Sequence, residues 1–248
     1  MKELFRPSGK RQPAQTGAGK PAPAPAPAGK RDVQAFLSKL AATPKGAGDA
    51  RLIFALDATA SREHTWELAS RQQSEMFRAT RDLGGLNVQL CHFRGFGEFH
   101  ASHWHRDSGP LLDLMTGIRC RAGLTQIGRL LKHVRKENGI RPVKAVVYVG
   151  DAMEEHLDRI AHLAGELGVL RVPLFMFHEG HDNLARRAFE ELARLSGGAC
   201  CSFDSGSADQ LRELLKAVAV FAAGGLPALA DLSKRSGQGV KLLERQLR

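Results

Sequence analysis

The chain has 248 residues, 43% of them hydrophobic, and carries a formal net charge of +10 at pH 7. This length can bury one good core or two small ones. The charge excludes a uniformly basic domain, because residues 1–31 hold seven Lys and Arg against one acid (+6) and residues 231–248 hold five against two (+3). Residues 32–230 are left near +1. The basic charge therefore belongs to two ends that flank a nearly neutral middle.

The cysteine pattern argues against a zinc finger or a disulfide framework. None of the four cysteines has a CxxC or Cys/His zinc spacing, and Cys200 and Cys201 are adjacent. Reduced thiols fit the cytosol. The N-terminus lacks the apolar core of a signal peptide, and we see no run of membrane-spanning length. We therefore expect a cytoplasmic protein that does not contact a membrane.

Composition divides the chain into four parts. Residues 1–31 form a basic Pro- and Ala-rich arm, which we expect to be disordered because it cannot bury enough apolar surface. Residues 32–50 form a lead-in helix and a linker. Residues 51–223 form one domain. Residues 224–248 form a basic C-terminal tail.

Apolar runs and helical patterns alternate along the central domain. The predicted strands cover residues 52–56, 87–93, 98–104, 143–149, 172–177 and 199–203. The predicted helices cover residues 62–83, 110–118, 126–136, 153–167, 183–195 and 208–222. The turn at residues 94–97 joins two strands into a hairpin. This order predicts an α/β, doubly wound, mostly parallel sheet with helices on both faces and one antiparallel edge strand.

Oxygen-bearing side chains follow the ends of the predicted strands. Asp57, Thr59 and Ser61 come after the first strand, Thr125 opens a helix, and Asp151 ends the strand at residues 143–149. In an open parallel sheet the carboxyl ends of the strands meet at one crevice. Two carboxylates and three hydroxyls would then form an all-oxygen shell, which suits a hard cation such as Mg²⁺.

Each of these residues also has a simpler structural interpretation. Ser61 could cap a helix that starts at residue 62, and Thr125 could cap the helix that starts at residue 126. Asp151 with Glu154 resembles a capping box. These roles are compatible with metal binding, and the shared location at the strand ends favours a site.

The two carboxylates would repel each other unless a cation lay between them. Without one, either Asp57 or Asp151 would tend to stay protonated. A divalent ion cancels both charges, while neutral hydroxyls fill positions without adding charge. The resulting site is neutral enough for a further carboxylate from a partner to approach it.

These residues resemble the metal-ion-dependent adhesion site (MIDAS) of von Willebrand factor type A (VWA) domains, of the bacterial intracellular type. Asp57, Thr59 and Ser61 match the motif Asp-x-Ser-x-Ser, with Thr59 replacing the first serine. Thr125 matches the distant threonine and Asp151 the final aspartate. The resemblance covers about residues 50–222.

The resemblance implies a Rossmann-like domain that binds proteins and is not an enzyme. It implies that Mg²⁺ or Mn²⁺ keeps a position open for an acidic residue of the partner. Bacterial intracellular members often act beside ATPases or in assembly complexes, so the resemblance suggests partners of that kind.

The main enzymatic alternative is a phosphohydrolase that resembles the haloacid dehalogenases. Asp57 would be its nucleophile, with Thr125 and Asp151 in supporting roles. Thr59 stands where that family has its second aspartate, which acts as general acid and base. Among the lysines, Lys132 and Lys144 are the nearest candidates for the catalytic one. A third alternative is weak nucleic-acid binding by the basic ends.

Three further polar clusters have open roles. His100, His103 and His105 predict a solvated edge strand or a transition-metal site, and on a regular strand His100 would face away from the other two. The loop at residues 178–182 could hold a second metal, rim the main site, or be a plain polar loop. Glu154, Glu155 and Asp158 are expected on the first turns of a helix, where acidic groups stabilise the N-terminus. Two further roles for these three acids stay open: they could hydrogen-bond to the metal ligands, or repel wrong partners.

Overall fold

The structure is a computed structural model and describes residues 50–63, 66, 86–203 and 208–247. Six strands form one sheet: β1 (Ala50–Asp57), β2 (Leu86–Arg94), β3 (Glu98–His105), β4 (Ala145–Gly150), β5 (Leu174–Glu179) and β6 (Ala199–Phe203). The α-helices are α1 (Ser108–Gly117), α2 (Ile127–Ile140), α3 (Leu157–Val169), α4 (Asn183–Ser196), α5 (Ala208–Ser233) and α6 (Gln238–Gln246). A short 3-10 helix covers Ala60–Arg62. The predicted arm, the lead-in helix and most of the helix predicted at residues 62–83 lie outside the described residues.

The strand order is β3-β2-β1-β4-β5-β6. All neighbouring strands are parallel except β2 and β3, which form the antiparallel hairpin at one edge. The predicted fold class is therefore confirmed. This order places the carboxyl end of β1 in the middle of the sheet, between the ends of β2 and β4.

Alternating side chains of the strands build two cores, one on each face of the sheet. Leu52, Phe54 and Leu56 face the first core, which is covered by α1, α5 and α6. Ile53 and Ala55 face the second core, which is covered by α2, α3 and α4. The period of two along β1 thus divides its apolar residues between the two faces.

Helix α3 begins at Leu157, four residues later than the predicted start at residue 153. Glu154 and Glu155 therefore do not lie on its first turn, and their expected interaction with its N-terminus is wrong. The carboxylate of Glu155 instead accepts hydrogen bonds from the backbone N–H groups of Ile127 and Gly128, at the start of α2. These donors are unpaired within α2, so Glu155 caps a helix distant in sequence.

An irregularity in the β2–β3 hairpin changes the faces of the histidines. Residue pairing skips between Gln89 and Cys91, so β3 advances by three residues where β2 advances by two. His100 therefore faces the same side as His105, and both line a cavity of about 760 Å³ together with His103 and His92. The expectation that His100 faces away from the others is wrong for this reason. The rings of His92 and His100 stack at 4.9 Å between centroids.

The segment expected to be a basic tail after residue 223 continues as helix. Helix α5 changes direction at Gly225, and α6 follows. Leu229, Val240 and Leu243 are buried in the first core. The side chain of Gln246 exchanges two hydrogen bonds with the backbone of Cys200, on the edge strand β6. These apolar positions explain why the segment packs against the sheet.

One described helical segment, Arg212–Ser233, is long and apolar enough to cross a membrane by length and composition alone. The sequence analysis identified no such run. Leu214, Leu215 and Val218 from this segment are fully buried against the sheet. We therefore interpret it as a core helix.

Candidate metal centre

Asp57, Thr59 and Ser61 lie together where the chain leaves β1. The Oδ1 of Asp57 accepts a hydrogen bond from the Thr59 N–H at 2.8 Å, so the carboxylate fixes the turn that follows the strand. The hydroxyl oxygens of Thr59 and Ser61 are 3.1 Å apart. Asp57 and Thr59 are buried, whereas Ser61 is exposed. The two hydroxyls thus lie together, although the chain between them turns into a 3-10 helix instead of staying extended.

Thr125 lies in the loop before α2 and is buried. Its hydroxyl accepts a hydrogen bond from the Glu154 N–H at 3.1 Å, and its own N–H donates to the Glu154 carboxylate at 3.0 Å. The loop that carries Thr125 is thereby tied to the loop that carries Asp151.

Two of the three capping alternatives are wrong. Helix α2 begins after Gln126, and Thr125 does not cap it. Asp151 and Glu154 both precede His156, the residue at the N-cap of α3. Ser61 lies inside the 3-10 helix Ala60–Arg62, and residue 64, the third residue of the helix that it would cap, lies outside the described residues. The Thr125 hydroxyl and the Asp151 carboxylate are therefore not committed to helix N-termini.

Asp151 follows β4, next to the end of β1. Leu56 pairs with Val149, so Asp57 and Asp151 leave adjacent strands at the same edge. The Oδ1 of Asp151 is buried and has no hydrogen-bond partner among the described residues. A buried carboxylate oxygen without a partner is costly, and a bound cation would satisfy it.

Tyr148 supports Asp57 from the strand β4. Its hydroxyl lies 3.5 Å from the Oδ2 of Asp57, inside the second core. Gly150 makes room for it, because a Cβ at residue 150 would lie 2.5 Å from the Tyr148 hydroxyl oxygen. The absence of a side chain at Gly150 thus allows the Tyr148 hydroxyl to approach Asp57.

The pKa of Asp57 is raised to about 6, because the raising effects of burial and of the nearby Asp151 charge outweigh the lowering effects of Thr59 and Arg62. The dominant cause is desolvation of the charged form. Without a cation, the group therefore binds a proton as the pH falls below about 6. A divalent ion would replace that proton and favour the carboxylate.

Sequence reasoning missed the buried ion pair beneath the site. Arg62 is fully buried and donates two hydrogen bonds to the Glu179 carboxylate, at 3.0 and 2.7 Å. Another donor reaches the carbonyl oxygen of Asp57 at 2.7 Å. The pair connects the ends of β1 and β5. The available signal was the position of Arg62 directly after Ser61 and of Glu179 at a strand end.

The loop at residues 178–182 does not form a second metal site. Glu179 pairs with Arg62, and Asp182 accepts hydrogen bonds from two N–H groups at the start of α4. The His178 ring is buried against Phe189, and burial lowers its pKa. Within the described part of the chain, no group of three or more His, Cys, Asp or Glu is arranged to hold a metal. The candidate site is of a different type, with two carboxylates and three hydroxyls.

The lysines considered for phosphohydrolase chemistry do not converge on Asp57. Lys144 directly precedes β4, and its N–H bonds to the carbonyl of Arg51 near the start of β1, at the opposite end of the sheet. Lys132 is exposed on α2. Asp57 is thus surrounded by hydroxyls, Tyr148, Arg62 and Asp151, and Thr59 occupies the position of the acid/base aspartate.

The donor set fits a hard divalent cation. Asp57 is buried with a raised pKa, Asp151 has an orphaned oxygen, and two neutral hydroxyls are adjacent. Such oxygen-only sets suit Mg²⁺ and Mn²⁺ better than they suit softer metals.

No family model matches the sequence, and no curated protein matches it. The fold resembles solved structures at low identity. The SpRpn10 VWA domain superposes with a TM-score of 0.53 at 15% identity, over 68% of this chain and 94% of that one. A von Willebrand factor type A protein from Catenulispora acidiphila gives 0.58 at 12%, over 69% and 43%.

Proximal thread matrix protein 1 from the mussel byssus, with a zinc-occupied MIDAS motif, gives a TM-score of 0.56 at 16% identity. That match covers 69% of this chain and 48% of the mussel protein. The chain thus spans less than half of two of these three neighbours. With its six-stranded sheet and its strand order, the chain described above has the von Willebrand factor type A fold.

Proposed function

We propose that this chain is a metal-dependent protein-interaction module. A Mg²⁺ ion, or Mn²⁺, is held by Asp57, Thr59, Ser61, Thr125 and Asp151 and binds an acidic side chain of a partner protein. The observation that carries the proposal is the buried Asp57 carboxylate, with a pKa of about 6, beside the paired hydroxyls of Thr59 and Ser61.

The five proposed ligands comprise three neutral hydroxyls and two carboxylates. Thr59, Ser61 and Thr125 contribute neutral oxygens, and Asp57 and Asp151 bind the ion directly or through ordered water. When bound, the metal supplies a positive centre that attracts a carboxylate. At an effective dielectric of 20, such an attraction at 4 Å amounts to about 4 kcal/mol before desolvation. Formation of the complex would therefore depend on the bound metal.

The choice of metal rests on the donor atoms. The mussel protein carries zinc in its MIDAS motif, which supports a divalent ion at this position of the fold. The candidate ligands in this chain are all oxygen atoms, and oxygen donors favour Mg²⁺ or Mn²⁺. We therefore propose Mg²⁺ as the resident ion.

We propose binding rather than catalysis. A phosphohydrolase that resembles the haloacid dehalogenases normally has an aspartate as acid/base group two residues after the nucleophile, and Thr59 has no carboxylate for that role. Its hydroxyl lies 3.1 Å from that of Ser61, and the phosphohydrolase interpretation gives Ser61 no role.

The partner would be a protein with an exposed acidic residue, such as an ATPase or a component of an assembly complex, in the cytoplasm. The free thiols of Cys91, Cys120, Cys200 and Cys201 are compatible with that compartment.

Thermal unfolding with and without Mg²⁺ tests the proposal. At about one hundred times the dissociation constant, a ligand stabilises the folded state by about 2.7 kcal/mol, which corresponds to roughly 5–10 °C in Tm. Asp57→Ala and Asp151→Ala should abolish this rise while leaving a cooperative unfolding transition.

The matched control is Asp113→Ala, which removes an exposed aspartate from α1 and should keep the full rise. Equal Mg²⁺-dependent shifts in the wild type and in both site variants would overturn the proposal.

A further inference from the structure

The tip of the β2–β3 hairpin (residues 94–98) and the loop at residues 119–124 form one surface, here called the hairpin platform. The N–H of Leu124 donates to the carbonyl of Gly95 at 3.3 Å. Arg121 forms an isolated parallel bridge with Thr59, and Thr125 directly follows Leu124. The platform therefore adjoins two of the proposed metal ligands.

The platform is held in one shape before any partner arrives. A Cβ at Gly123 would lie 2.1–2.4 Å from backbone atoms of Gly95, so only glycine allows the two segments to cross this closely. Arg94 and Arg121 both pair with Glu98. The Gln126 side chain reaches the carbonyls of Arg94 and Glu98 at 3.3 Å. A partner would therefore meet a preorganised surface, which lowers the entropic cost of binding.

The platform exposes apolar side chains that contribute nothing to the cores. Phe96 is 85% exposed at the hairpin tip, and Leu124 is 51% exposed beside Thr125. Large apolar side chains exposed next to a binding site indicate a contact surface.

The charges around the site are asymmetric. The platform and the adjoining turn of α2 carry four arginines and one glutamate: Arg94, Arg119, Arg121, Arg129 and Glu98. On the other side, residues 151–159 carry four acids and one arginine: Asp151, Glu154, Glu155, Asp158 and Arg159. Carboxylates of a partner would therefore be attracted towards the platform and repelled from the α3 side.

We infer that the hairpin platform selects the partner. It fits an acidic segment in which the metal-bound carboxylate is accompanied by an apolar side chain, seated on Phe96 and Leu124, and by a second carboxylate facing Arg119 and Arg121. This inference rests on the proposed function, because the metal-bound carboxylate sets the register of the segment.

A phage library of random 12-residue peptides is the probe. The full chain is immobilised with Mg²⁺, and bound phage are eluted with a chelator. The wild-type pool should be enriched in Asp or Glu together with an apolar residue and a second acid at fixed spacings. Phe96→Ser/Leu124→Ser should remove the apolar preference, and Arg119→Gln/Arg121→Gln should remove the second acid.

Synthetic peptides from the wild-type pool give the affinities. Each platform double variant should weaken binding on the order of tenfold while keeping the dependence on Mg²⁺. The matched controls are Ile140→Ser/Val169→Ser, which removes apolar side chains exposed by 70% and 86% at the ends of α2 and α3, and Lys136→Gln/Lys144→Gln. Both controls should bind like the wild type.

Two results would overturn the inference, and they differ. If the wild type yields no chelator-eluted pool, the proposed function fails and the inference fails with it. If the pool is acidic but lacks the apolar and second acidic preferences, or if the platform variants bind like the controls, the metal-dependent function stands and the platform has no role in selection.

Discussion

Arg62 places a full positive charge in the interior, at the point where the ends of β1 and β5 meet. Its guanidinium pairs with Glu179 and holds the carbonyl of Asp57. Removal of one partner of a buried ion pair leaves the other charge uncompensated, which typically costs about 3–5 kcal/mol. We therefore expect Arg62→Met to lower the free energy of unfolding in urea by that amount.

The double variant Arg62→Met/Glu179→Leu is the control for this effect. It removes both charges, so it should recover part of the loss. A single variant within about 1 kcal/mol of the wild type would show that the pair does not hold the strand ends together.

Asp57 gives the metal-free protein a distinct pH dependence. Its pKa is about 6 in the folded state, against 3.8 for an unperturbed group. The folded state therefore binds the proton more tightly. The stabilisation from this group is complete below about pH 4 and is lost as pH rises through about 6. Mg²⁺ must displace that proton, so Mg²⁺-dependent stabilisation should be small near pH 5 and larger near pH 7.

Melting curves in chelator over this pH range, compared with Asp57→Asn, measure the effect. Asparagine stays neutral, so the wild-type Tm should fall relative to the variant between about pH 4 and pH 6. Parallel Tm profiles for the two proteins would contradict the assignment of the raised pKa to Asp57.

Strand periodicity predicts only part of the candidate site. It places Asp57 at the end of β1, but a 3-10 helix begins at Ala60, so the Thr59 and Ser61 hydroxyls come together through a turn that the period of two does not predict. Arg62 and Glu179 are 117 positions apart, and only the order of the strands brings them into contact. Their positions near strand ends are a weak signal that does not identify them as partners.

At the scale of elements, α6 is a structural part of the domain. Leu243 is fully buried against the first core, whereas the adjacent Leu242 is 52% exposed. Truncation of a buried leucine removes apolar contacts and leaves a cavity, which typically costs about 2–5 kcal/mol. We expect Leu243→Ala to lower the free energy of unfolding in urea by this amount.

Leu242→Ala is the matched control, because it removes the same atoms from the solvent-facing side of the same helix. Its effect should stay within about 0.5 kcal/mol. Equal free energies of unfolding for the two variants would show that α6 does not pack on the sheet in solution and that the tail begins at residue 224.

The elements also show where sequence patterns stop being informative. The strands of the parallel sheet were predicted to within a few residues, because apolar runs bounded by turns are strong local signals. The start of α3 was misplaced, because Glu154 and Glu155 look like first-turn residues. Their carboxylates instead bind the backbone at Thr125 and Ile127. The shift of register at Gln89 likewise depends on pairing between two strands.

At the scale of the whole molecule, most of the net charge of +10 belongs to the two ends of the sequence. Residues 1–31 carry +6 and residues 231–248 carry +3. The C-terminal cations Lys234, Arg235, Lys241 and Arg245 are exposed, while the apolar side of the same segment faces the core. The basic ends would attract polyanions by charge alone, whereas the proposed metal site would recognise one acidic partner.

Deletion of residues 1–31 tests whether the basic arm binds nucleic acid. A chain of lysines and arginines with one aromatic residue, Phe5, binds phosphates with little base stacking. If the arm binds phosphates, the full chain should bind a single-stranded RNA weakly at low salt, with an affinity that falls steeply as NaCl is raised, and the deletion should remove most of this binding. An arm that solubilises the chain or docks a partner instead predicts no such binding. Fluorescence anisotropy at about 50 and 200 mM NaCl measures both effects.

The same deletion should keep the Mg²⁺-dependent rise in Tm, since Asp57 and Asp151 are unchanged. RNA binding that survives the deletion, or that does not change with salt, would mean that the folded domain itself contacts RNA.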